Sequence, residues 1–321
     1  MENQHLKNIT ECPAQGRKAG FPGSEKSDCR DFRSGFVAIA GPPNAGKSTL
    51  LNLITGEKIS ITSRKPQTTR DRILGIVERP KSQLIFMDTP GIHRAGSLLN
   101  RKIVAQALAA IQDVDAVLLM LDVSNRDLNS EQIIMEQLDK LNKPVVLALN
   151  KTDLISPENL LPIMDVCASR HPFRAMVPIS AAKGIQIAEL LLEVEGTLPL
   201  GPRLFPVNTL TDMSEKFIAG EMIREKIFRL TGMEIPYSSA VVVDSFKVEK
   251  KLIVIYASIH LDKDSQKGIV IGKGGRMLKK IGEQARKDIE RMTGSKVLLK
   301  LFVKVTKNWS GNEKILRDFG Y

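Results

Sequence analysis

A mostly parallel α/β sheet with helices on both faces, followed by a smaller α+β domain, is the architecture this sequence predicts. Three observations predict it. Short apolar runs of strand length alternate with helix-length segments through the first two thirds of the chain. The alternation stops at the Pro- and Gly-rich stretch GTLPLGPRLFP, residues 196–206. Beyond it the runs follow the order α-β-β-α-α-β. At 321 residues the chain is long for one domain, and two domains suit its length.

Residues 1–34 are rich in Gly, Ser, Lys and Asn without periodicity, and a disordered arm is expected there. The first domain is expected over residues 35–197. FVAIAG is a strand that runs into a Gly-rich loop, and TLLNLITG has helical spacing. GIVERP, QLIFMD, AVLLMLD, PVVLALN and MVPIS are further short apolar runs. Between most of them lie helix-like segments such as SLLNRKIVAQALAAIQDV and NSEQIIMEQLDKLN. Such near-continuous apolar runs are what strands covered on both faces require. Residues 198–206 are expected to be a linker, and residues 207–321 a second domain. That domain opens on a long helix, SEKFIAGEMIREKIFRLTG, with Ser214 as N-cap and Gly232 as its stop. Within it, MIREK is expected to form a solvated face with i,i+4 pairing. Two strands, SSAVVVDSFKVE and KLIVIYASIHL, come next. A helical region around GIVIGKGGRMLKKIGEQARKDIERMTG and a last strand, KVLLKLFVKVTK, complete the order.

Composition excludes several classes. No apolar run reaches the roughly 18 residues needed to span a bilayer. The N-terminus has no apolar core, so it is no secretory signal, and Glu2, Glu11, Glu25, Asp28 and Asp31 argue against a transit peptide. Cys12, Cys29 and Cys167 form no CxxC pair, which fits a reducing cytoplasmic setting. Cys167 reads as packing. His171 and His260 fit no metal cluster, His93 reads as a surface-loop residue, and Trp309 as the anchor of the last helix. The formal net charge is +11, and residues 204–321 carry most of it, with 22 Lys and Arg against 14 Asp and Glu. A basic C-terminal third points to a polyanionic partner.

GPPNAGKST, Gly41 to Thr49, follows a strand and opens a helix, so it satisfies GxxxxGK[ST] in the required context. Its peptide N–H groups, Asn44, Ala45 and Gly46 among them, can converge on phosphate oxygens at a helix N-terminus. Lys47 would reach the β- and γ-phosphates and Ser48 would ligate magnesium. Asp88 ends QLIFMD and can take magnesium through water, while the Gly91 N–H can meet the γ-phosphate. PQTTRDR lies between these elements. A Thr there can close the magnesium shell only while the γ-phosphate is present, and Thr69 is favoured over Thr68. LALNKTD places Asn150, Lys151 and Asp153 past another strand. A carboxylate at Asp153 can accept from guanine N1–H and the exocyclic amino group, neither of which adenine offers there. Asn150 can bridge the base and the P-loop, and the Lys151 stem can cover the ring. PISAAKG brings Ser180, with peptide N–H groups at Ala181 or Ala182 for guanine O6.

GPPNAGKS, PQTTR, DTPG, NKTD and SAAK in this order resemble the GTPase domain of translation-factor-related small GTPases. The resemblance implies a doubly wound sheet, GTP or GDP with Mg2+ as cofactors, and Ser48, Thr69 and Asp88 as the metal set. Ile92 stands where many nucleotide hydrolases carry a polar, water-orienting residue, and resembles the subgroup in which a hydrophobic residue replaces the catalytic glutamine. Asn44 resembles the residue that ligates K+ in such GTPases, so Lys47, Thr69 and Asn44 are the catalytic candidates and turnover is expected to be slow.

IVIGKGGRMLKKIG contains Gly272-Lys273-Gly274-Gly275, a GxxG loop between two helices, followed by Arg276, Lys279 and Lys280. In α-β-β-α-α-β order this is similar to a type II KH domain, whose GxxG loop lets a sugar-phosphate backbone approach closely. Aromatic residues are few, so an apolar groove with hydrogen bonds is expected to read the bases. Ile269, Ile271 and Ile281 could line that groove or belong to the core.

A GTPase domain joined to a C-terminal KH domain resembles the Era family of bacterial ribosome-assembly GTPases, over about residues 35–321. MIREKIFRLTGMEIPYS, IGEQARKDIERMTG and FVKVTKNW carry the resemblance at the C-terminal end. It implies binding of 16S ribosomal RNA near its 3′ end, a role in maturation of the small ribosomal subunit, and a cytoplasmic monomer loosely associated with the inner membrane. The first 34 residues depart from the family pattern. Two other readings are a non-enzymatic RNA-binding module whose nucleotide only holds a shape, and a membrane-associated GTPase whose second domain binds lipid or protein. The complete magnesium and triphosphate elements favour an enzyme, and the basic GxxG favours RNA.

Overall fold

The computed structural model describes residues 31–63, 65, 69–70, 72–92, 98–232, 234–250 and 252–319. Residues 1–30 of the expected arm, with Cys12 and Cys29, lie outside them, as do Thr68 and His93. Arg33 and Ser34, assigned to the arm, are the first residues of a strand.

The first sheet holds β1 (Arg33–Ala40), β2 (Ile73–Arg79), β3 (Ser82–Asp88), β4 (Ala116–Asp122), β5 (Val145–Asn150) and β6 (Ala175–Pro178). Their order is β2-β3-β1-β4-β5-β6. All neighbours run parallel except β2 and β3, which pair antiparallel. The central strands are buried on both faces, which is why they read as unbroken apolar runs. One core holds Leu50 and Leu51 of α1 (Lys47–Thr55) and Leu190 and Val194 of α5 (Ile187–Thr197). The other face is covered by α2 (Leu98–Gln112), α3 (Leu128–Leu138) and α4 (Pro157–Ala168). Asp127 caps α3 by accepting from the Ser130 N–H at 3.1 Å. Helices on both faces of a mostly parallel sheet make this the doubly wound arrangement expected. The carboxyl ends of β1, β3 and β5 meet on one edge, where such sheets bind ligands.

Residues 198–213 form an irregular strap that is pinned to the first sheet well past residue 206. Gln83 Oε1 accepts from the N–H groups of Leu204 and Phe205, at 2.8 and 2.9 Å. Ile76, on the edge strand β2, donates its N–H to Leu210 O at 2.9 Å. The strap therefore covers a sheet edge that would otherwise expose unpaired peptide groups. The expected boundary at residue 206 falls inside it.

The second domain begins with α6 (Glu215–Leu230), capped by Ser214, whose side chain accepts from the Phe217 N–H. Then come β7 (Ser239–Glu249), β8 (Leu252–Leu261), α7 (Asp264–Ile271), α8 (Arg276–Thr293), β9 (Lys296–Val305) and α9 (Glu313–Asp318). Its sheet has the order β7-β8-β9, with β7 antiparallel and β9 parallel to β8. α6 and α8 pack on one face of it through Ile223, Ile227, Ile281, Ala285 and Ile289. This is the expected α-β-β-α-α-β order.

One expectation is overturned. MIREK is not a solvated face: Met222, Ile223, Arg224, Glu225 and Lys226 are all buried. α6 lies against the loop after α1, and Glu225 meets Lys58 Nζ at 2.5 Å and Arg229 at 2.9 Å. Lys226 bridges Glu225 (2.9 Å) and Asp288 of α8. The expected i,i+4 pairing is present between Glu225 and Arg229, but the face is not solvated, and Lys58 joins its charges across the domain boundary. Trp309 does anchor the C-terminal end. It is fully buried, donates to Ser238 O at 3.0 Å, and packs with Leu316 against Leu99 and Ile103 of α2.

Candidate functional site

The loop between β1 and α1 wraps a cleft of about 550 Å³, lined among others by Asn44, Lys47, Thr69, Asp122 and Lys151. Gly46, at the N-terminus of α1, has φ 99°, and a Cβ there would lie 2.2 Å from Asn150 Nδ2. Only glycine fits both the backbone and the contact. Lys47 folds back on its own loop and donates to the carbonyls of Gly41 and Pro42, at 3.0 and 2.9 Å.

Below the loop three side-chain oxygens converge. The Ser48 hydroxyl donates to Asp88 Oδ2 at 2.7 Å and lies 2.9 Å from Thr69 Oγ1. Thr69 Oγ1 lies 3.4 Å from the same carboxylate oxygen. Ser60, which the sequence reading missed, donates to it at 2.9 Å. The other oxygen, Asp88 Oδ1, is buried and has no hydrogen-bond partner among the described residues. One carboxylate and two hydroxyls beside a phosphate cradle are the hard oxygen donors that suit Mg2+, which takes few protein ligands and completes its shell with water and phosphate. The residues present fit that ion. Burial pulls the Lys47 ammonium down to about 8 against the attraction of Asp88, and burial pushes the Asp88 carboxyl up against Lys47 and its three hydroxyl donors. Both are hydrogen-bonded to neutral groups but neither forms an ion pair among the described residues, and a metal–triphosphate would supply the counter-charge to both.

Gly91 approaches the P-loop so closely that a Cβ would sit 2.8 Å from Pro43, and the Ile92 N–H donates to Gly41 O at 3.2 Å. The Ile92 side chain is fully buried in the core under the sheet, where it reaches no water.

Asn150 locks the base side of the cleft. Its Nδ2 donates to Ala45 O at 2.7 Å, and its Oδ1 accepts from the Ala181 N–H at 2.9 Å. One buried side chain thus ties the P-loop to the SAAK loop. Lys151 has φ 69° and pairs with Asp122 at the end of β4, a partner not foreseen from sequence. Asp153 is exposed in a 3-10 turn, Thr152–Leu154, that Thr152 fastens to Ile179 O through its N–H (3.2 Å) and hydroxyl (2.9 Å). Ser180 is buried and closes a turn with Ile185, while Ala182 is exposed beside it. The cleft is therefore lined by Asn44, Gly46, Lys47, Ser48, Thr49, Thr69 and Gly91 at one end and by Lys151 at the other. Ala45 and Asp88 are buried behind it, and Asn150 ties the SAAK loop to the P-loop without bringing Asp153 or Ala182 to its wall.

The second candidate surface is in the C-terminal domain. α7 ends at Gly272, with φ 72° and ψ 171°, where a Cβ would sit 2.8 Å from Met277 Cβ. The turn is closed by Gly275 N–H to Gly272 O at 3.1 Å. Lys273, Arg276, Lys279 and Lys280 are exposed around it. Between α8 and β9 runs a groove of about 520 Å³, with Leu278, Gly282, Leu299 and Leu301 in its walls and Lys279 and Arg286 at its rim. Ile281 belongs to the core, while Ile269 is 52% exposed. A glycine loop, an apolar groove and a basic rim can hold an extended single strand by its backbone while its bases face the groove.

The sequence model described as "50S ribosome-binding GTPase" matches residues 36–151, and that of the KH domain matches residues 234–310. The chain is 53% identical to GTPase Era of Geotalea uraniireducens over 293 residues, 91% of this chain and 99% of that one. It is 50% identical to GTPase Era of Syntrophus aciditrophicus over 292 residues, 90% of this chain and 95% of that one. Two solved structures share the fold over 90% of this chain and 99% of theirs, each with a TM-score of 0.87. One is Era in complex with MgGDPNP and nucleotides 1506–1542 of 16S ribosomal RNA, at 40% identity. The other is a variant of Aquifex aeolicus Era bound to GDP and AlF4−, at 39% identity.

Proposed function

The chain belongs to the Era family of GTPases, and from that premise we propose that it is a GTP-hydrolysing switch that binds 16S ribosomal RNA near its 3′ end and assists maturation of the small ribosomal subunit. GTP or GDP and Mg2+ are its cofactors. The observation that carries the reading is the convergence of Ser48, Thr69 and Asp88 beneath the P-loop, in a chain that also exposes a GxxG loop.

In this reading the peptide N–H groups from Asn44 to Thr49 and the N-terminus of α1 receive the phosphates. Lys47 turns its ammonium from its own loop carbonyls to the β- and γ-phosphates. Ser48, Thr69 and Asp88 would hold Mg2+, the two hydroxyls as its ligands and the carboxylate by way of water. When bound, that ion neutralises charge that develops on the phosphoryl oxygens. Gly91 offers its N–H to the γ-phosphate, so Thr69 and Gly91 both lose a partner after hydrolysis. Asp153 and Asn150 read guanine, Lys151 covers the ring, and of the two candidate peptide N–H groups for O6 that of Ala182 is the better placed, since that of Ala181 is held by Asn150 Oδ1.

None of these groups is a base for the attacking water, and Ile92 is buried away from it. Intrinsic turnover is therefore slow. We assign the missing charge stabilisation to K+ held against Asn44, which stands at the loop tip with φ 62° and lines the cleft. A cation there would act on the transition-state charge as an arginine finger does. Phosphate release is expected to be at least about tenfold faster in KCl than in NaCl, and equal rates would end that assignment.

We assign the RNA site to Gly272–Gly275 with Lys273, Arg276, Lys279 and Lys280, on the strength of the exposed glycine loop and its basic flank. Gly274→Asp should weaken RNA binding by at least about tenfold through repulsion of the phosphates, with nucleotide affinity unchanged. No atom lies within 4 Å of the Cβ position at Gly274, so the carboxylate points into open space; the φ of 61° strains any side chain there, and Gly274→Asn, with the same strain and no charge, is the control that should bind RNA more tightly than Gly274→Asp. Affinity in the wild type should fall with added salt as counterions are released. Fluorescence anisotropy with the 3′-terminal 16S sequence measures both, and unchanged affinity or a flat salt response would reject the site. The reading extends to a cytoplasmic monomer with loose peripheral association with the inner membrane. No described helix is long and apolar enough to cross a membrane, and flotation with anionic phospholipid vesicles tests the association.

A further inference from the structure

The C-terminal sheet has two faces, and only one is covered by α6 and α8. The other is covered at one end, where Trp309 and α9 pack on Ala240 and Phe319 on His260, and elsewhere presents Lys296, Leu298, Lys300, Phe302 and Lys304 of β9 to solvent. There Tyr256 and Phe302 stack with ring centroids 6.4 Å apart and planes 9° from parallel. Phe302 is 48% exposed. Lys300, directly opposite Tyr256 in the β8–β9 ladder, sets its ammonium 5.4 Å from the Tyr256 ring centre. Lys296 and Lys304 occupy the same face of β9, four residues to either side, and Lys247 of β7 stands opposite Val254. Two carboxylates border the patch: Asp244, which accepts the Ser258 hydroxyl at 2.6 Å, and Glu249 at the far end of β7. The balance is cationic around an exposed aromatic pair.

This face is continuous with the groove beside α8. β9 is an edge strand. Leu298, 41% exposed, lines the groove and also stands on the outer face, opposite Val254. A strand that leaves the groove over β9 meets the Tyr256–Phe302 pair next.

We propose that the outer face of this sheet is a second RNA contact, where unpaired bases beyond the groove-bound segment stack on Tyr256 and Phe302 while Lys300 and its neighbouring lysines take the phosphates. The chemistry favours RNA over a protein partner. Aromatic faces accept any base, and lysines spaced along a strand suit a repeating phosphate backbone. A hydrophobic protein partner would gain nothing from four surrounding ammonium groups. The proposal rests on the GxxG groove as the primary RNA site.

The test compares two RNAs on the full chain with GDP and Mg2+ present: the 3′-terminal 16S sequence 1506–1542, and a fragment of about four nucleotides, the length a GxxG loop clamps. Phe302→Ala is expected to weaken the long RNA about tenfold, as loss of a stacked base does, and to leave the fragment unchanged. Phe302→Tyr should restore the long-RNA affinity, which a merely misfolded sheet would not permit. Lys300→Ala should lower the salt dependence for the long RNA by about one ion. The proposal is overturned if Phe302→Ala and Lys300→Ala bind the long RNA as wild type does, or if they weaken both RNAs equally. Retained RNA affinity with loss of binding to purified small ribosomal subunits would assign the face to a protein, and also overturns it. If Gly274→Asp leaves the fragment's affinity intact, the groove itself fails, and that outcome is separate.

Discussion

Asp153→Asn should move nucleotide preference from guanine to xanthine by about four orders of magnitude, because a site built around a hydrogen-bonding group rejects the ligand that leaves its partners unpaired. In the proposed site the carboxylate of Asp153 would accept two N–H donors on the guanine edge. An amide offers its own N–H to one of them and leaves both unsatisfied, each at a cost of about 1–3 kcal/mol. Xanthine carries a carbonyl where guanine carries its amino group, so the same amide is matched again. The substitution keeps shape, and the turn that presents it is held by Thr152 on Ile179 O and not by Asp153 itself. The fold and the phosphate end of the cleft should therefore be untouched. Competition of GDP and XDP for a fluorescent nucleotide measures the shift, and a variant that still prefers GDP would refute the role of Asp153. Asn150 would make a poor probe, since it also joins Ala45 to Ala181 and its loss would loosen two loops at once.

The nucleotide site was legible because its parts are short and contiguous. A phosphate cradle needs a glycine, a lysine and a hydroxyl within nine residues, and NKTD needs its Asn and Asp on one turn. PQTTR offered two threonines, and the sequence only favoured Thr69, whose hydroxyl lies 2.9 Å from Ser48 Oγ and 3.4 Å from Asp88 Oδ2. What encloses the site was not legible. Ser60 reaches Asp88 only because Asn52 in α1 accepts the Ile59 and Ser60 N–H groups, at 3.0 and 2.9 Å, and bends the loop back. Nothing in IS or IT announces that. MIREK misled for a related reason: Glu225 does pair with Arg229 at i,i+4, the pattern of an exposed face, yet Glu225 is also met by Lys58 and Lys226 by Asp288, both far away in sequence, and the face is buried. Arg70 tells the same story. It stands in a polar stretch, but its guanidinium donates to the carbonyls of Ser239 and Pro236, each at 3.0 Å. The aromatic pair was hidden for another reason: period two marks the phase of β9 that carries Lys296, Lys300 and Lys304 as the wet face, but Tyr256 of β8 joins Phe302 there only through the β8–β9 register, which no local pattern states.

Glu225→Ala should be the most destabilising single change at the domain boundary, at about 3–5 kcal/mol, the cost of stripping one partner from a buried ion cluster. The Glu225 side chain is 0% exposed and accepts from Lys58, Lys226 and Arg229, with Thr62 3.3 Å away at its backbone N–H. Without it, Lys226, only 5% exposed, keeps Asp288 alone for two ammonium groups. Glu225→Gln should cost less, since the amide oxygen still accepts while the charge is gone. pH reports on the same cluster. Burial alone would raise the Glu225 and Asp288 carboxyls, but hydrogen bonds and charge from Lys58 and Lys226 outweigh it and hold both below their ordinary values of 4.5 and 3.8. Their folded pKa values lie below the unfolded ones, so the stabilisation is complete above about pH 4.5 and is lost as the pH falls through the folded values. Lys226 is shifted the other way, upward despite burial, by Asp288 and Glu225, so its share disappears only in strong alkali. Urea titrations at pH 7 and in the acid range should therefore show a wild-type midpoint that drops with acidification, and a Glu225→Ala midpoint that is low at pH 7 and drops less. Equal pH slopes for the two proteins would remove Glu225 from the cluster's energetics. The loss should reach the nucleotide as well. Lys58, Thr62, Lys65 and Arg70, which bind the C-terminal domain, belong to the segment that delivers Thr69 to Asp88. Once that segment is freed, Mg2+ should add less to the affinity for a GTP analogue than it does in the wild type, while affinity for GDP, which does not need Thr69, stays the same.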